Sequence, residues 1–377
     1  MTLTTIAYNM AHPVTPQLIQ ELGQGPAFLG ILFAPMAIAN FIMSPLWGRL
    51  SDQHGRKRFM IIAPLGYGLA QLGFGFSTNL GVIIIFRLLA GLISSASFIC
   101  GLAYLIDITN PQNRSKLMVY YTAITGFAAN VGYLLGGFIG NNDFHYAFIA
   151  QASLCFIIVV LIIFTLKESH TTKLVRAKTN IIQDLKQYRH TIVPFLLGIV
   201  LLTSLLAKGF DIGFNSYLKF DLNFKPFTIG IAMAVSGMIG LFTNFIIFPI
   251  LKRRFSDLVL LIMSIIVMSG MLIGFIITEN VAQQIATLTL FFAGLALYKP
   301  LLQALLSKAG KQNGEIMGLN NAAHAIGMAI GSLAIGAIYD YKSSFAFITL
   351  STIAFISGMS LIIGSGVIKR FIKEEFR

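Results

Sequence analysis

The sequence predicts an all-α integral membrane protein, with twelve transmembrane helices in two pseudo-symmetric six-helix bundles. Three observations carry this reading. Of 377 residues, 56% are hydrophobic and only 11% charged, whereas a soluble domain carries about 25% charged residues. The apolar residues fall in runs of about 20, the length of a bilayer-crossing helix. The charges lie between those runs, and the longest polar stretch, 167–190, divides them six and six.

The first run, 2–21, contains His12-Pro13 and Pro16. It lacks the basic n-region and cleavage site of a signal peptide. No basic tail precedes it, so a truncated first helix or an internal start at Met1 is expected. The next runs are 27–48, 59–77, 81–105, 117–140 and 145–166, closing an N-terminal bundle over 1–166. The segment 167–190 mixes six basic residues with Glu168, Asp184 and apolar Leu174, Ile181 and Leu185. It reads as a cytoplasmic linker, partly an amphipathic helix along the membrane. The second bundle, 191–377, holds runs at 192–218, 227–251, 258–278, 282–306, 315–338 and 345–368, then a short tail. Equal halves suggest an internal repeat. Lys252-Arg253-Arg254-Phe255-Ser256-Asp257 after span eight is a weaker counterpart of the loop after span two, and spans five and eleven are both glycine-rich.

The net charge of +13 would suggest nucleic acid on a soluble domain, but its placement says otherwise. With both termini in the cytoplasm, twenty-one Lys and Arg fall in inner segments. Only three, Lys219, Lys225 and Lys342, fall in outer loops. That asymmetry is a topology signal, and no nucleic-acid partner is expected. Cys100 and Cys155, the only cysteines, lie in apolar runs and read as small core residues.

Gly48-Arg49-Leu50-Ser51-Asp52-Gln53-His54-Gly55-Arg56-Lys57-Arg58 is the most specific segment. Gly48 permits close approach of a neighbouring helix and Gly55 a tight turn between antiparallel spans. Asp52 can face a helix N-terminus or a cation, while the basic cluster stays in the cytoplasm. This pattern resembles the signature loop of the major facilitator superfamily, and in particular its twelve-helix drug:proton antiporter branch of tetracycline exporters and Gram-positive multidrug pumps. Pro13-Val14-Thr15-Pro16, Arg87 with Gly91, Asp107 before Arg114, and Gly314-Glu315 with Gly318 are similar to further motifs of that family. The resemblance implies that Asp52, Arg56, Lys57 and Asp107, with Gly48 and Gly55, form a cytoplasmic gate, with Asp52 meeting the start of helix eleven. It also implies a bacterial plasma (inner) membrane location. Helix five carries Gly132, Gly136, Gly137 and Gly140. Three of these, spaced i, i+4, i+8, form a smooth contact stripe. They resemble the antiporter glycine motif, except that Tyr133 stands where the motif has proline.

Ionisable residues inside spans are functional candidates. Here they are Arg87, Lys208, Asp211 and Lys299, three cations and one acid. Asp211 can carry a proton if conformational change switches its proton affinity; equally, it can pair with Lys208 three residues away and merely neutralise it. The resemblance aligns Asp211 with a helix-seven acid of Gram-positive pumps and Lys299 with a basic residue in their helix ten. Their second acid is replaced by an apolar residue near Ala296. His324 is a further protonation candidate or a buried neutral histidine. His12 either lines the cavity or caps a broken helix. Tyr8, Asn9, Asn40, Asn130, Asn215 and Gln303 can face a cavity or form interhelical hydrogen bonds.

No metal-ligand spacing, phosphate-binding glycine loop or nucleophile elbow is present. The chain is therefore expected to be no enzyme and to need no metal, nucleotide or other cofactor, with a proton gradient as energy source. The expected partners are a small-molecule substrate, protons and the lipid bilayer, acting on a monomer. The leading function is proton-coupled efflux of small amphipathic molecules or drugs. The alternatives are a carrier for a sugar or other metabolite, a non-transporting membrane sensor or scaffold, and a lipid transferase, for which no interfacial polar cluster is seen.

Overall fold

A computed structural model of the chain describes residues 1–109, 114–169, 188, 191–308 and 313–375. Helices α1 (Thr2–Asn9) and α2 (Thr15–Glu21) stand where the sequence reads as one span over 2–21. Proline causes the break. Pro13 and Pro16 have no N–H, so the carbonyls of Asn9 and His12 lose their i+4 donors. The chain turns at Met10–Val14 instead, where Thr15 Oγ1 donates to the Ala11 carbonyl at 2.7 Å.

The other predicted spans all appear as helices, most within three residues of their expected ends, the second and the last running six and seven residues further. They are α3 (Pro26–His54), α4 (Arg56–Phe76), α5 (Leu80–Asp107), α6 (Arg114–Ile139), α7 (His145–Thr165) and α8 (Val193–Ser216). The last continues through a π-helical turn over Tyr217–Asp221. Then come α9 (Pro226–Phe242), a second π turn over Thr243–Ile247, α10 (Phe248–Lys252), α11 (Asp257–Ile277), α12 (Val281–Lys308), α13 (Asn313–Tyr341) and α14 (Ser343–Glu375). Eleven segments among the described residues are long and apolar enough to cross a membrane; the α1–α2 pair occupies the place of the twelfth. The expected linker helix falls on 170–187 and 189–190, and the side chains of Arg114 and Glu315 likewise lie outside the described residues.

Local chemistry sets the helix ends. Asn79 Oδ1 accepts the N–H groups of Gly81 and Val82 at 2.9 and 3.2 Å, capping α5. Before α7, Asp143 accepts the His145 backbone N–H at 2.9 Å and contacts its ring at 2.6 Å. These contacts hold its carboxyl below the usual range.

The chain divides into two compact units. One comprises Met1–Ala177 with Asn215–Gly237, the other Lys178–Phe214 with Met238–Arg377. In the first, α5 packs on α3 and α4, α4 on α7, and α1 on α6. Its core holds Tyr67, Phe74, Ile83 and Phe148, together with both free cysteines. A buried polar tie runs through it: Gln71 Nε2 donates to Gln151 Oε1 at 3.1 Å, and Gln151 Nε2 to the Ala7 carbonyl at 2.7 Å. In the second unit, α11 packs on α12 and α14. Phe210 stacks on Phe291 with centroids 4.1 Å apart, and Ser269 and Ser351 bond across α11 and α14 at 3.1 Å. Phe138, Phe164, Ile277 and Ile363 project outward and exposed. A helix surface of this apolarity suits lipid.

Candidate functional site

The turn between α3 and α4 is built around Gly55, whose φ of 93° favours glycine. One turn back, Asp52 accepts Arg56 Nη1 at 2.6 Å, both side chains well buried. Arg56 Nε donates to Asp107 Oδ2 on α5 at 3.1 Å, and Arg56 Nη1 also reaches Ser51 Oγ at 2.7 Å. One guanidinium thus joins two carboxylates on two helices, the geometry in which charge-assisted bonds are strongest. Glu168, read in the sequence only as part of the linker, closes the site. Its carboxylate accepts the backbone N–H groups of Arg56 and Lys57 at 2.7 and 3.1 Å, where the α4 dipole favours negative charge. Lys57 Nζ donates to the Ile163 carbonyl at 2.8 Å. Gly48 sits against Ile99 on α5. The neighbouring Trp47 donates its indole N–H to the Leu92 carbonyl at 2.7 Å and leans on Phe59.

The helix-five glycines present two contact faces. A methyl added at Gly132 would lie 2.5 Å from the Ile6 carbonyl oxygen, one at Gly136 would strike the Met10 carbonyl, and one at Gly140 would strike Val14. Gly132, Gly136 and Gly140 therefore track Ile6, Met10 and Val14 turn by turn. Gly137 faces the other way, toward Pro226, Phe227 and Gly230 of α9, and Gly230 in turn faces the Tyr133 carbonyl. In the second unit, Gly327 and Gly331 of α13 meet the backbone of Leu201 and Leu205 on α8. These offsets equal those of Gly132 and Gly136 to Ile6 and Met10, a repeat written in backbone contact.

Within the first unit, Arg87 is buried, with its guanidinium carbon 3.7 Å from the Phe74 ring centroid and 5.1 Å from that of Phe33. Its Nη2 donates to Thr15 Oγ1 at 3.3 Å, while its Nε finds no acceptor. Gly91, one turn on, lets α5 approach the Met36 backbone of α3. Tyr8 stacks on Tyr67 at 3.8 Å and its hydroxyl lies 2.6 Å from Ser97 Oγ. His12, in the α1–α2 break, stacks on Phe33 and meets Tyr133 edge-on. Asn9 and Asn40 bond locally, to Thr5 and Ser44. Asn130 lies buried against Gly237 with its Nδ2 unsatisfied, and Asn215 is also buried. Lys219, counted in the sequence as an outer-loop charge, is buried in the π turn with Nζ on Gln17 Oε1.

Within the second unit, Lys208 Nζ meets Asp211 Oδ2 at 2.5 Å. One turn before Lys208, Ser204 Oγ lies 2.6 Å from His324 Nδ1. A cavity of about 60 Å³ opens beside them between α8, α12 and α13, lined by Tyr298, Lys299, Gln303, Asn320, Asn321 and both members of that pair. The structure thus gathers His324, Lys299 and Gln303 at one place, and Lys208 with Asp211 one turn away. Among the described residues, neither Arg87 nor Lys299 has an ion-pair partner, and no group of His, Cys, Asp and Glu is placed to hold a metal.

Comparison with known proteins gives consistent matches over nearly the whole chain. It is 28% identical to multidrug resistance protein 2 of Bacillus subtilis (strain 168) over 375 residues, covering 96% of this chain and 90% of that one. It is 26% identical to the quinolone resistance protein NorA of Staphylococcus aureus (strain MRSA252) over 343 residues, covering 90% and 87%. Its fold superposes on the POT family transporter PepTSo with a TM-score of 0.77 at 12% identity, covering 98% and 96%. Residues 1–332 match the family model described as Major Facilitator Superfamily. The charge cluster around Gly55, the paired glycine faces and these matches agree: the chain is a multi-pass membrane transporter of small molecules that belongs to the Major Facilitator Superfamily.

Proposed function

We propose that the protein exports small amphipathic molecules, drugs among them, from a bacterial cell in exchange for protons. It works as a monomer without a cofactor, with both termini cytoplasmic. The two halves, 1–166 and 191–377 joined by 167–190, rock to alternate access. The observation that carries this reading is the match along nearly their full length to two proteins named for drug resistance. Two features of the chain support it. Asp211, the single acid among the four ionisable residues singled out within spans, is partly open beside Lys208, so a shift of the ammonium changes the cost of protonating the carboxylate. The Asp52–Arg56–Asp107 cluster joins α3, α4 and α5 at one membrane face, and its bonds would latch the cytoplasmic side of the outward-open state.

The test is proton-driven uptake of ethidium into inside-out vesicles. Vesicles carrying the protein are expected to accumulate dye when acidified inside, to lose it with an uncoupler, and to fail with Asp211→Asn. Unchanged coupling in that variant would refute the proton role. A metabolite or sugar carrier is the second reading, favoured by Tyr133 at the proline position of the glycine motif and by the apolar residue near Ala296. Dye-blind vesicles that take up a sugar would decide for it.

A further inference from the structure

Lys299 lies inside α12, a helix long and apolar enough to span a membrane, where an ammonium is costly unless something compensates it. Lys208, the other lysine within a span of this unit, is compensated by Asp211. Lys299 is not: among the described residues it has no ion-pair partner. Its neighbours in the cavity supply donors where a carboxylate would be expected. Gln303 and Asn321 each carry an amide NH2 and Tyr298 a phenol. The Ser204–His324 bond leaves one donor over in either tautomer. If the serine hydroxyl donates to Nδ1, the ring keeps Nε2–H; if Nδ1–H donates to the serine, the hydroxyl keeps its proton. Among the described residues, no Asp or Glu lines the cavity. A lysine ammonium with no carboxylate beside it, sharing a cavity with amide, phenol and serine–histidine donors, has a fitting electrostatic complement in a compact anion.

Size limits the anion further. About 60 Å³ admits a carboxylate group or a halide, whereas drug-sized ligands need about 300 Å³ or more. Lys299 and Asn321 are exposed on the unit, so a ligand body can remain outside while its charged head enters. We propose that this cavity is an anion site that seats the carboxylate of an amphipathic substrate, with Lys299 as counter-charge and Ser204–His324, Gln303 and Asn321 as hydrogen-bond donors. The substrate class then includes organic acids and zwitterions, with the carboxylate held here, beside the cationic dyes that need no anion site. This rests on the export reading above and names the part of the substrate that the second unit holds.

The test is thermal unfolding of the purified full-length protein in detergent, in chloride-free gluconate buffer. The probes are 4-phenylbutyrate, its uncharged amide 4-phenylbutyramide, and chloride. The carboxylate is expected to raise the unfolding midpoint and the amide at equal concentration to leave it unchanged. Lys299→Gln should weaken the apparent affinity about tenfold or more, the loss of a charge-assisted bond, while Lys299→Arg keeps it. Asn321→Leu, at an exposed position, gives a second weakened variant should Lys299→Gln not fold. Equal shifts by acid and amide, no shift by either anion, or a shift surviving in Lys299→Gln would each overturn the site. A shift by chloride alone would overturn the assignment to a substrate carboxylate and leave an inorganic ion as the occupant. Ethidium transport in vesicles, run in parallel, separates the two claims. Transport without any anion-dependent shift removes the site only, and the shift without transport removes the export reading only.

Discussion

The glycine face of α6 yields a prediction whose sign can be worked from the structure. At Gly136, an added methyl would overlap the Met10 carbonyl oxygen and lie 2.6 Å from its carbon and 2.7 Å from its Cα, whereas a carbon rests no closer than about 3.3 Å to a carbonyl oxygen. All three atoms are backbone, so no side chain can rotate away, and α6 must separate from the Met10–Val14 turn. Overpacking of this kind costs about 1–3 kcal/mol, and replacing a mid-helix glycine by alanine returns about 0.5–1 kcal/mol. Gly136→Ala should therefore destabilise by about 2 kcal/mol, taking the upper part of the overpacking range. Gly198 and Gly270 are exposed helical glycines whose added methyl would meet nothing within 4 Å. There alanine should stabilise by about 0.5–1 kcal/mol. Gly140→Ala should fall between, because its nearest obstacle is the Val14 side chain, which can turn, and the fixed Ala147 Cβ is met only at 3.0 Å. The assay is detergent unfolding by heat or by sodium dodecyl sulfate titration, followed by far-ultraviolet circular dichroism. If Gly136→Ala proves as stable as Gly198→Ala, backbone contact is not what these glycines serve.

Two predictions concern the charge cluster around Arg56. Arg56→Gln leaves Asp52 and Asp107 without their shared cation, and removing one member of a buried ion pair costs about 3–5 kcal/mol. Arg56→Gln should therefore unfold well before Arg56→Lys, compared by unfolding midpoint in the same detergent. Glu168→Ala strips two N–H groups at the α4 start of their acceptor and should cost about 1–2 kcal/mol, with Glu168→Gln keeping part of it; chemical denaturation of the three proteins side by side reads this directly.

The spans were legible because the bilayer demands runs of one length, and composition records that demand without any tertiary information. The break of the first span was half-written: Pro13 and Pro16 mark it, yet the apolar run continues across them and reads as one helix. The charge cluster was legible in Asp52, Arg56 and Asp107 because glycine and charge recur there at fixed spacing. Glu168 was not. It meets Arg56 across 112 residues of chain, and nothing in its neighbourhood distinguishes it from any other linker acid. The burial of Lys219 was not legible for a related reason. Counting loop charges treats a lysine near a span end as solvated, and the π turn that buries it against Gln17 leaves no periodic trace. The cavity at Lys299 was visible as separate residues, Lys299, Gln303 and His324. Their convergence required knowing which faces of α8, α12 and α13 meet.

Trp47 gives the chain a property useful at the bench. It is the only tryptophan, and it immediately precedes the Gly48–Arg58 segment with its indole N–H held by Leu92 and its ring against Phe59. Indole emission is sensitive to hydrogen bonding and to water, so the wild-type protein, excited at the red edge where its tyrosines do not absorb, carries one native indole beside the Arg56 cluster and no other to mask it. Opening of that end during transport can be followed as a wavelength shift in unlabelled protein, with Trp47→Phe as the optical blank.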